Sequence, residues 1–136
     1  MSSPDKWRDH GLLVIRLGLG VMFVMHGWPK MAGGAKAWAK LGGAMKHLGV
    51  DFAPTLWGFA GASSELAGGV LLALGLLFRP ACTLLLATMV VAASLHLGKG
   101  EGLMGAAHAI EDGIVFLGLL LIGPGRFALD ARLRKG

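Results

Sequence analysis

The sequence predicts an all-α integral membrane protein, a four-helix antiparallel bundle built from one domain over residues 1–136. Two properties of the whole chain lead to this fold class. The chain is 54% hydrophobic with a mean hydropathy of +0.65, more than a soluble domain with a wetted surface usually carries. Its apolar residues also gather into four segments of roughly the 20 residues that cross a bilayer core. A very hydrophobic soluble bundle is the alternative.

The four predicted spans cover residues 7–27, 54–78, 80–98 and 105–122. The second and third fit a bilayer well, whereas charges interrupt the first and fourth. The first is not expected to be a cleaved signal peptide, because Arg16 breaks its apolar stretch. The sequence "FRPA" joins the second and third spans as a tight antiparallel turn, and Pro80 suits the first turn of a helix.

A longer segment, residues 28–52, separates the first two spans. Its apolar residues recur at helical spacing, which favours a short amphipathic helix at the membrane interface. Several glycines weaken that helix. An ordinary surface loop and a functional lid remain alternatives.

Charge and cysteine content narrow the functional classes. The net charge of +5 is spread around the ends of the spans, which indicates a protein beside anionic lipid rather than one that binds nucleic acid. Seven lysines and arginines lie on the side of the termini and five on the other. The positive-inside rule therefore predicts a multi-pass protein with both termini in the cytoplasm. The single cysteine, Cys82, excludes an internal disulfide or a C-x-x-C redox pair.

Two charged residues are predicted deep inside the membrane. Arg16 and Glu65 lie at similar depths when each is counted from the start of its span, at 1.5 Å per residue. Ionised groups in a membrane are rare unless they are paired or functional, and an arginine can hold a carboxylate with two hydrogen bonds. An Arg16–Glu65 ion pair near the midplane is the natural inference. A purely structural role for this pair is the alternative.

A second polar layer is expected above that pair. In "HAIEDG", His108 lies three residues before Glu111 and four before Asp112, so both acids can flank the histidine on a helix. His26 and His96 should share this edge of the bundle, although each histidine could simply be interfacial. One His-x-x-Glu pair falls short of the several carboxylates and two such pairs of a di-iron bundle. No metal site is therefore predicted.

Three stretches resemble the DoxX family of bacterial membrane proteins. "RLGLGVMFVMHGWPKM", from Arg16, resembles the family's first helix, and "SSELAGGVLLALGLLFRPACTLLLATMV", from Ser63, resembles the second and third. "GPGRFALD", from Gly123, resembles the closing motif. The matching positions are Arg16, His26, Lys30, Glu65, Gly68, Gly69, Arg79, Gly123, Pro124 and Asp130. The resemblance implies a four-helix protein of the bacterial inner membrane that acts as a subunit or partner of quinone-linked redox systems.

These observations lead to a functional hypothesis. We expect a quinone-interacting component of a membrane redox system, working with a redox partner protein and holding no covalent cofactor. The quinone head group would contact Arg16, Glu65, His26, His96, His108 and Glu111. The alternatives are a small proton-coupled transporter, a lipid-binding protein without redox activity, and a scaffold with no small ligand. The small residues on the helix faces are compatible with a homodimer.

Overall fold

Four long helices dominate the computed structural model, which describes residues 3–136. The first, α1, covers Ser3–Ala32. The other long helices are α3 (Pro54–Leu74), α4 (Phe78–Gly98) and α5 (Gly102–Ile122). All four are long and apolar enough to cross a membrane, which confirms the predicted fold class. No strand occurs within residues 3–136.

The helix bounds differ from the predicted spans at several ends. The α1 helix extends beyond residues 7–27 at both ends, because polar residues continue a helix outside the apolar stretch. The α3 helix stops at Leu74 rather than at residue 78. Gly75 ends it in the left-handed conformation, with φ 67°, and the N–H groups of Gly75 and Leu76 bond back to the carbonyls of Leu72 and Leu71. This Schellman arrangement is favoured by glycine.

The segment between the first two spans is helical. It forms α2 (Gly34–Gly42) and a 3-10 helix (Gly43–Leu48), as the apolar spacing indicates. The glycines of this segment allow it to pack against α3 rather than weakening its helices. A side chain at Gly42 would overlap the carbonyl of Pro54, and one at Gly58 would overlap the carbonyl of Trp38. Glycine therefore lets α2 lie backbone to backbone on the first half of α3.

Glycine also sets how α1 lies against α3. A Cβ at Gly27 would fall 2.6 Å from the nitrogen of Leu66, and one at Gly20 would fall 2.7 Å from the carbonyl oxygen of Gly69. Small residues allow this close approach between membrane helices. Because the two helices are antiparallel, these contacts place Gly27 opposite Leu66 and fix the relative height of every other residue on the pair.

The remaining helices pack in chain order, α3 on α4 and α4 on α5. Gly68 faces the side chain of Leu85, whose Cγ would lie 3.0 Å from a Cβ at that position. Within residues 3–136, α1 and α5 do not pack closely along their length. Phe23 and Phe116 bridge them with ring centroids 5.1 Å apart. The backbones of α1 and α5 are therefore farther apart than those of the packed helix pairs. The exposed surface between them, on which His26 and His108 lie, is called the α1–α5 cleft below.

The C-terminal motif fastens one end of the bundle. Asp130, at the start of α6 (Leu129–Leu133), accepts hydrogen bonds from the N–H groups of Leu77 at 3.0 Å and Phe78 at 2.9 Å. Its own N–H donates to the carbonyl of Gly75. A carboxylate that binds the first free N–H groups of a helix is a strong cap. Asp130 thus caps α4 and fixes the α3–α4 turn.

A second carboxylate holds the same motif from the other side. Asp9 is only 3% exposed and accepts a hydrogen bond from the N–H of Arg126 at 3.2 Å. Gly125 adopts φ 78° and lies against Asp9 and Leu12. The segment after α5 is therefore tied both to α1 and to the α3–α4 turn.

Replacing Asp130 with alanine removes the cap of α4 and frees the turn. We expect a loss of about 1–2 kcal/mol in the free energy of unfolding, the range for removal of a helix cap. Equilibrium unfolding of the purified protein in mixed micelles measures this loss. Asp51→Ala is the control, because Asp51 is exposed in a loop. Equal stability of the two variants would refute the capping role.

Candidate functional site

Glu65 forms an ion pair with Lys30, not with Arg16. The Lys30 Nζ lies 2.8 Å from Oε1 and 2.6 Å from Oε2 of Glu65. Glu65 is 4% exposed, whereas the side chain of Lys30 retains 37% of its exposure. The prediction of an Arg16–Glu65 pair is therefore wrong, and the lysine at the end of α1 satisfies the carboxylate instead.

The helix register explains this correction. Gly27 lies opposite Leu66, whereas Arg16 lies against Gly75, where a Cβ would overlap its Nη1. Ten residues of α3 separate Glu65 from Gly75, a rise of about 15 Å. Counting from the start of each apolar segment places Arg16 too deep. In the structure Arg16 lies level with Gly75, at the C-terminal end of α3.

Arg16 is instead enclosed beneath the α3–α4 turn. It is 1% exposed, and its Nε and Nη1 atoms have no hydrogen-bond partner within residues 3–136. The C-terminal end of α3 carries partial negative charge from its carbonyl groups, which favours a cation there. Gly75 leaves the space that the guanidinium occupies, so glycine at this position serves both the turn and Arg16.

Two of the predicted histidines meet in the α1–α5 cleft. The rings of His26 and His108 have centroids 6.2 Å apart. The Nε2 atom of His108 lies 3.5 Å from Oδ2 of Asp112, and the side chains of these two residues are 76% and 14% exposed. Phe23 packs edge-on to His26, with centroids 6.4 Å apart. These polar side chains form one group, called the His–Asp cluster below (His26, His108 and Asp112).

The height of this cluster matters for its chemistry. His26 neighbours Gly27, which faces Leu66 twelve residues into α3, and Asp112 lies ten residues into α5. At 1.5 Å per residue, His108 lies about 9 Å and Asp112 about 15 Å from the start of α5, and His26 lies about 9 Å before the end of α1. The cluster therefore lies in the half of the bundle opposite the termini. His26 and His108 are exposed on the outside of the bundle, so the cluster is polar and laterally open on the spanning helices.

The other predicted site residues lie apart from this cluster or beside it. His96 Nδ1 contacts Oε2 of Glu101 in the turn after α4, so a local acid occupies it. The hydrogen bond to His96 is the main reason that the pKa of the Glu101 carboxyl is lowered from its usual value. Glu111 is exposed next to Asp112. Of the six side chains predicted to contact the head group, the structure brings His26 and His108 together, whereas Arg16, Glu65 and His96 lie in separate surroundings.

Three residues have a larger part in the structure than the sequence interpretation assigned them. Lys30 was included only as a motif residue, yet it neutralises Glu65. Asp112 rather than Glu111 is the acid that His108 contacts. Asp9 was not identified at all. The i, i+4 spacing from His108 to Asp112 in the sequence indicates their contact. The partner of Lys30 depends on the register of α1 against α3, and the partner of Asp9 depends on how the segment after α5 folds back onto α1, and neither is visible in the sequence.

The remaining motif positions have structural surroundings. Gly68 and Gly69 sit at close helix contacts. Gly123 ends α5 with φ 90°. Pro124 lines a cleft beside Asp9 and Arg126, and Arg79 is exposed near the start of α4. Within residues 3–136 no group of three or more histidine, cysteine, aspartate or glutamate residues could hold a metal ion.

The fold and its polar groups define a multi-pass membrane protein with four spanning helices. The DoxX family model matches residues 11–98, and the chain belongs to the DoxX family. The chain is also 34% identical to the uncharacterized membrane protein Rv3486 of Mycobacterium tuberculosis, with 91% of this chain and 82% of the relative aligned. No solved structure matches this chain.

The Lys30–Glu65 pair predicts an asymmetric response to substitution. Lys30→Met leaves a buried carboxylate without a partner and should reduce the free energy of unfolding by about 3 kcal/mol. Glu65→Gln should reduce it by about 1 kcal/mol, because the long lysine side chain can turn to the interface. In the double variant Lys30→Met, Glu65→Gln, the loss in the free energy of unfolding should stay near that of Glu65→Gln alone. Equilibrium unfolding in mixed micelles gives the required free energies.

Arg16 supplies the control for this cycle. Arg16→Met and Glu65→Gln should be additive, because their side chains lie at different heights. Strong coupling between Arg16 and Glu65, together with additivity between Lys30 and Glu65, would contradict the pairing.

Proposed function

We propose that this DoxX-family protein binds a quinone from the lipid phase at the α1–α5 cleft and serves as the quinone-interacting component of a membrane redox system. The supporting observation is the His–Asp cluster, whose two histidines are exposed on the spanning helices α1 and α5. Polar and ionisable groups on spanning helices are unfavourable unless something covers them, and they commonly mark ligand or proton pathways. A quinone is an apolar-tailed ring that dissolves in the bilayer and carries polar oxygens, so it suits such a cleft.

The cleft can recognise both parts of a quinone ring. Phe23 and Phe116 are buried and form an aromatic base beneath the cluster. The exposed imidazole rings of His26 and His108 can pack against a quinone ring. The imidazole N–H groups of His26 and His108 can donate hydrogen bonds to the ring carbonyl oxygens. In this proposal Arg16 and Glu65 are not direct ligands, since both are buried in helix contacts away from the cleft.

The same residues can handle the protons of quinone chemistry. Reduction of a quinone to a quinol takes two electrons and two protons, one proton for each oxygen. His108 and Asp112 are close enough to pass a proton between them through a small adjustment, and histidine commonly serves as a proton donor and acceptor. The electrons would come from a separate redox protein, because a single cysteine leaves this chain no dithiol.

Binding of a quinone analogue to the purified protein tests the proposal. Decylubiquinone should bind the wild-type protein, and His26→Gln and His108→Gln should each weaken binding about fivefold, the loss of roughly one hydrogen bond. His10→Gln is the matched control, because His10 packs on Phe127 at the other end of the bundle. Unchanged binding in the double variant of His26 and His108 would overturn the proposed function.

The location follows from the charge distribution. We infer an inner-membrane protein with both termini in the cytoplasm, since seven basic residues flank the spans on the side of the termini, against five on the other. The seven are Lys6, Arg8, Arg79, Arg126, Arg132, Arg134 and Lys135. A reporter that works only in the cytoplasm should be active when it is fused after residue 136. Activity of a reporter that works only in the periplasm, fused at the same position, would contradict this orientation.

A further inference from the structure

A second polar site lies at the end of the bundle opposite the termini. A cleft of about 580 Å³ opens between the end of α1, the 3-10 helix and the end of α4. Its lining includes the basic residues Lys30, Lys40, Lys46, His47 and Lys99, and no acid is among the residues that line it. This basic cleft is separate from the His–Asp cluster, and its role does not depend on the proposed quinone.

No acid lines the cleft itself, so acids beside it offset only part of the charge of its lysines. Lys30 is bonded to Glu65 through two oxygens, but an ammonium group has three donors, so one can still serve the cleft. The carboxylate of Glu101 bonds to His96 and also interacts electrostatically with Lys99, so it offsets part of the charge of Lys99. Lys40, Lys46 and Lys99 are exposed. The cleft therefore concentrates positive charge that favours an anion.

Two contacts hold the helices that carry these lysines close together. The indole of Trp38 donates a hydrogen bond to the carbonyl of Lys30 at 3.1 Å, which ties α2 to the end of α1. His47 packs so tightly on Gly98 that a side chain there would overlap its ring, which ties the 3-10 helix to the end of α4. The α2 helix and the 3-10 helix, which line the cleft, are thus attached to the ends of α1 and α4.

The surroundings of the cleft indicate the chemistry of its occupant. Lys30 lies in the last turn of α1 and Lys99 directly follows α4, so the cleft lies where helices leave the membrane. Leu41 and Leu95 add apolar walls between the charges. A group with negative charge and an adjoining apolar part fits this mixture, because lysines near the membrane surface attract anionic lipids.

We propose that the basic cleft binds a phosphate group, supplied by the head group of an anionic phospholipid or by free phosphate. Lys40, Lys46 and Lys99 provide the attraction, and His47 and the third donor of Lys30 provide further hydrogen bonds. Lysine binds phosphate as a compact point charge. The site would hold such a ligand where α1, the 3-10 helix and α4 meet.

Lipid titration of the delipidated full-length protein in detergent, followed by native mass spectrometry, tests the proposal. Short-chain phosphatidylglycerol should bind more tightly than phosphatidylcholine of the same chain length. The double variant Lys40→Gln, Lys46→Gln should lose about 25-fold in affinity for phosphatidylglycerol, since each lysine near an anionic surface contributes about fivefold. Lys40→Arg, Lys46→Arg should retain binding within a few-fold, because the charge is kept.

The control variant Lys6→Gln, Lys135→Gln removes the same net charge at the opposite end of the bundle and should bind like the wild type. Inorganic phosphate then distinguishes the two sources of ligand. If it displaces phosphatidylglycerol at low concentration, the site takes free phosphate, and if it does not, the lipid head group is the ligand. Equal affinity in the Lys40/Lys46 glutamine variant and the wild type would overturn the proposal, as would an equal loss in the control.

Discussion

The close glycine contact between α1 and α3 is the constraint on which the polar architecture depends. Lipid provides no hydrophobic drive for helices to associate, so the interface relies on backbones that approach closely. Gly27 against Leu66 and Gly20 against Gly69 allow only one relative height of the two helices. That height brings Lys30 to Glu65 and puts Arg16 under the α3–α4 turn. The position of each charge is therefore a consequence of small residues elsewhere on the helices.

The same register separates structural charges from exposed ones. Asp9 and Asp130 receive backbone N–H groups and close one end of the bundle, whereas Glu65 receives an ammonium group inside it. These three acids have partners in the fold. The His–Asp cluster differs, because it opens towards lipid where α1 and α5 are not closely packed. A polar group on the spanning helices that the fold does not enclose is the part of the molecule most suited to meet a ligand.

The sequence predicts the four helices well, because long apolar segments and polar turns are local properties. It also predicts that His26 and His108 share an edge of the bundle. It does not predict which charges meet, because pairing depends on register. Counting from the apolar ends predicts equal depth for Arg16 and Glu65, but α1 starts at Ser3 and the contacts at Gly20 and Gly27 set the true height. Lys30 was treated as a residue beyond the span, although a lysine side chain can reach back into it.

The central claim is that Lys30, rather than Arg16, neutralises Glu65 within the membrane. Solid-state NMR of the protein in lipid bilayers, with ¹⁵N in lysine or arginine side chains and ¹³C in glutamate carboxyls, measures this contact directly. The structure places Lys30 Nζ 2.6 Å from a Glu65 oxygen, so strong lysine-to-carboxyl dipolar coupling should appear and should vanish in both Lys30→Met and Glu65→Gln. A coupling of the Glu65 carboxyl to arginine nitrogens, with none to lysine, would contradict the account.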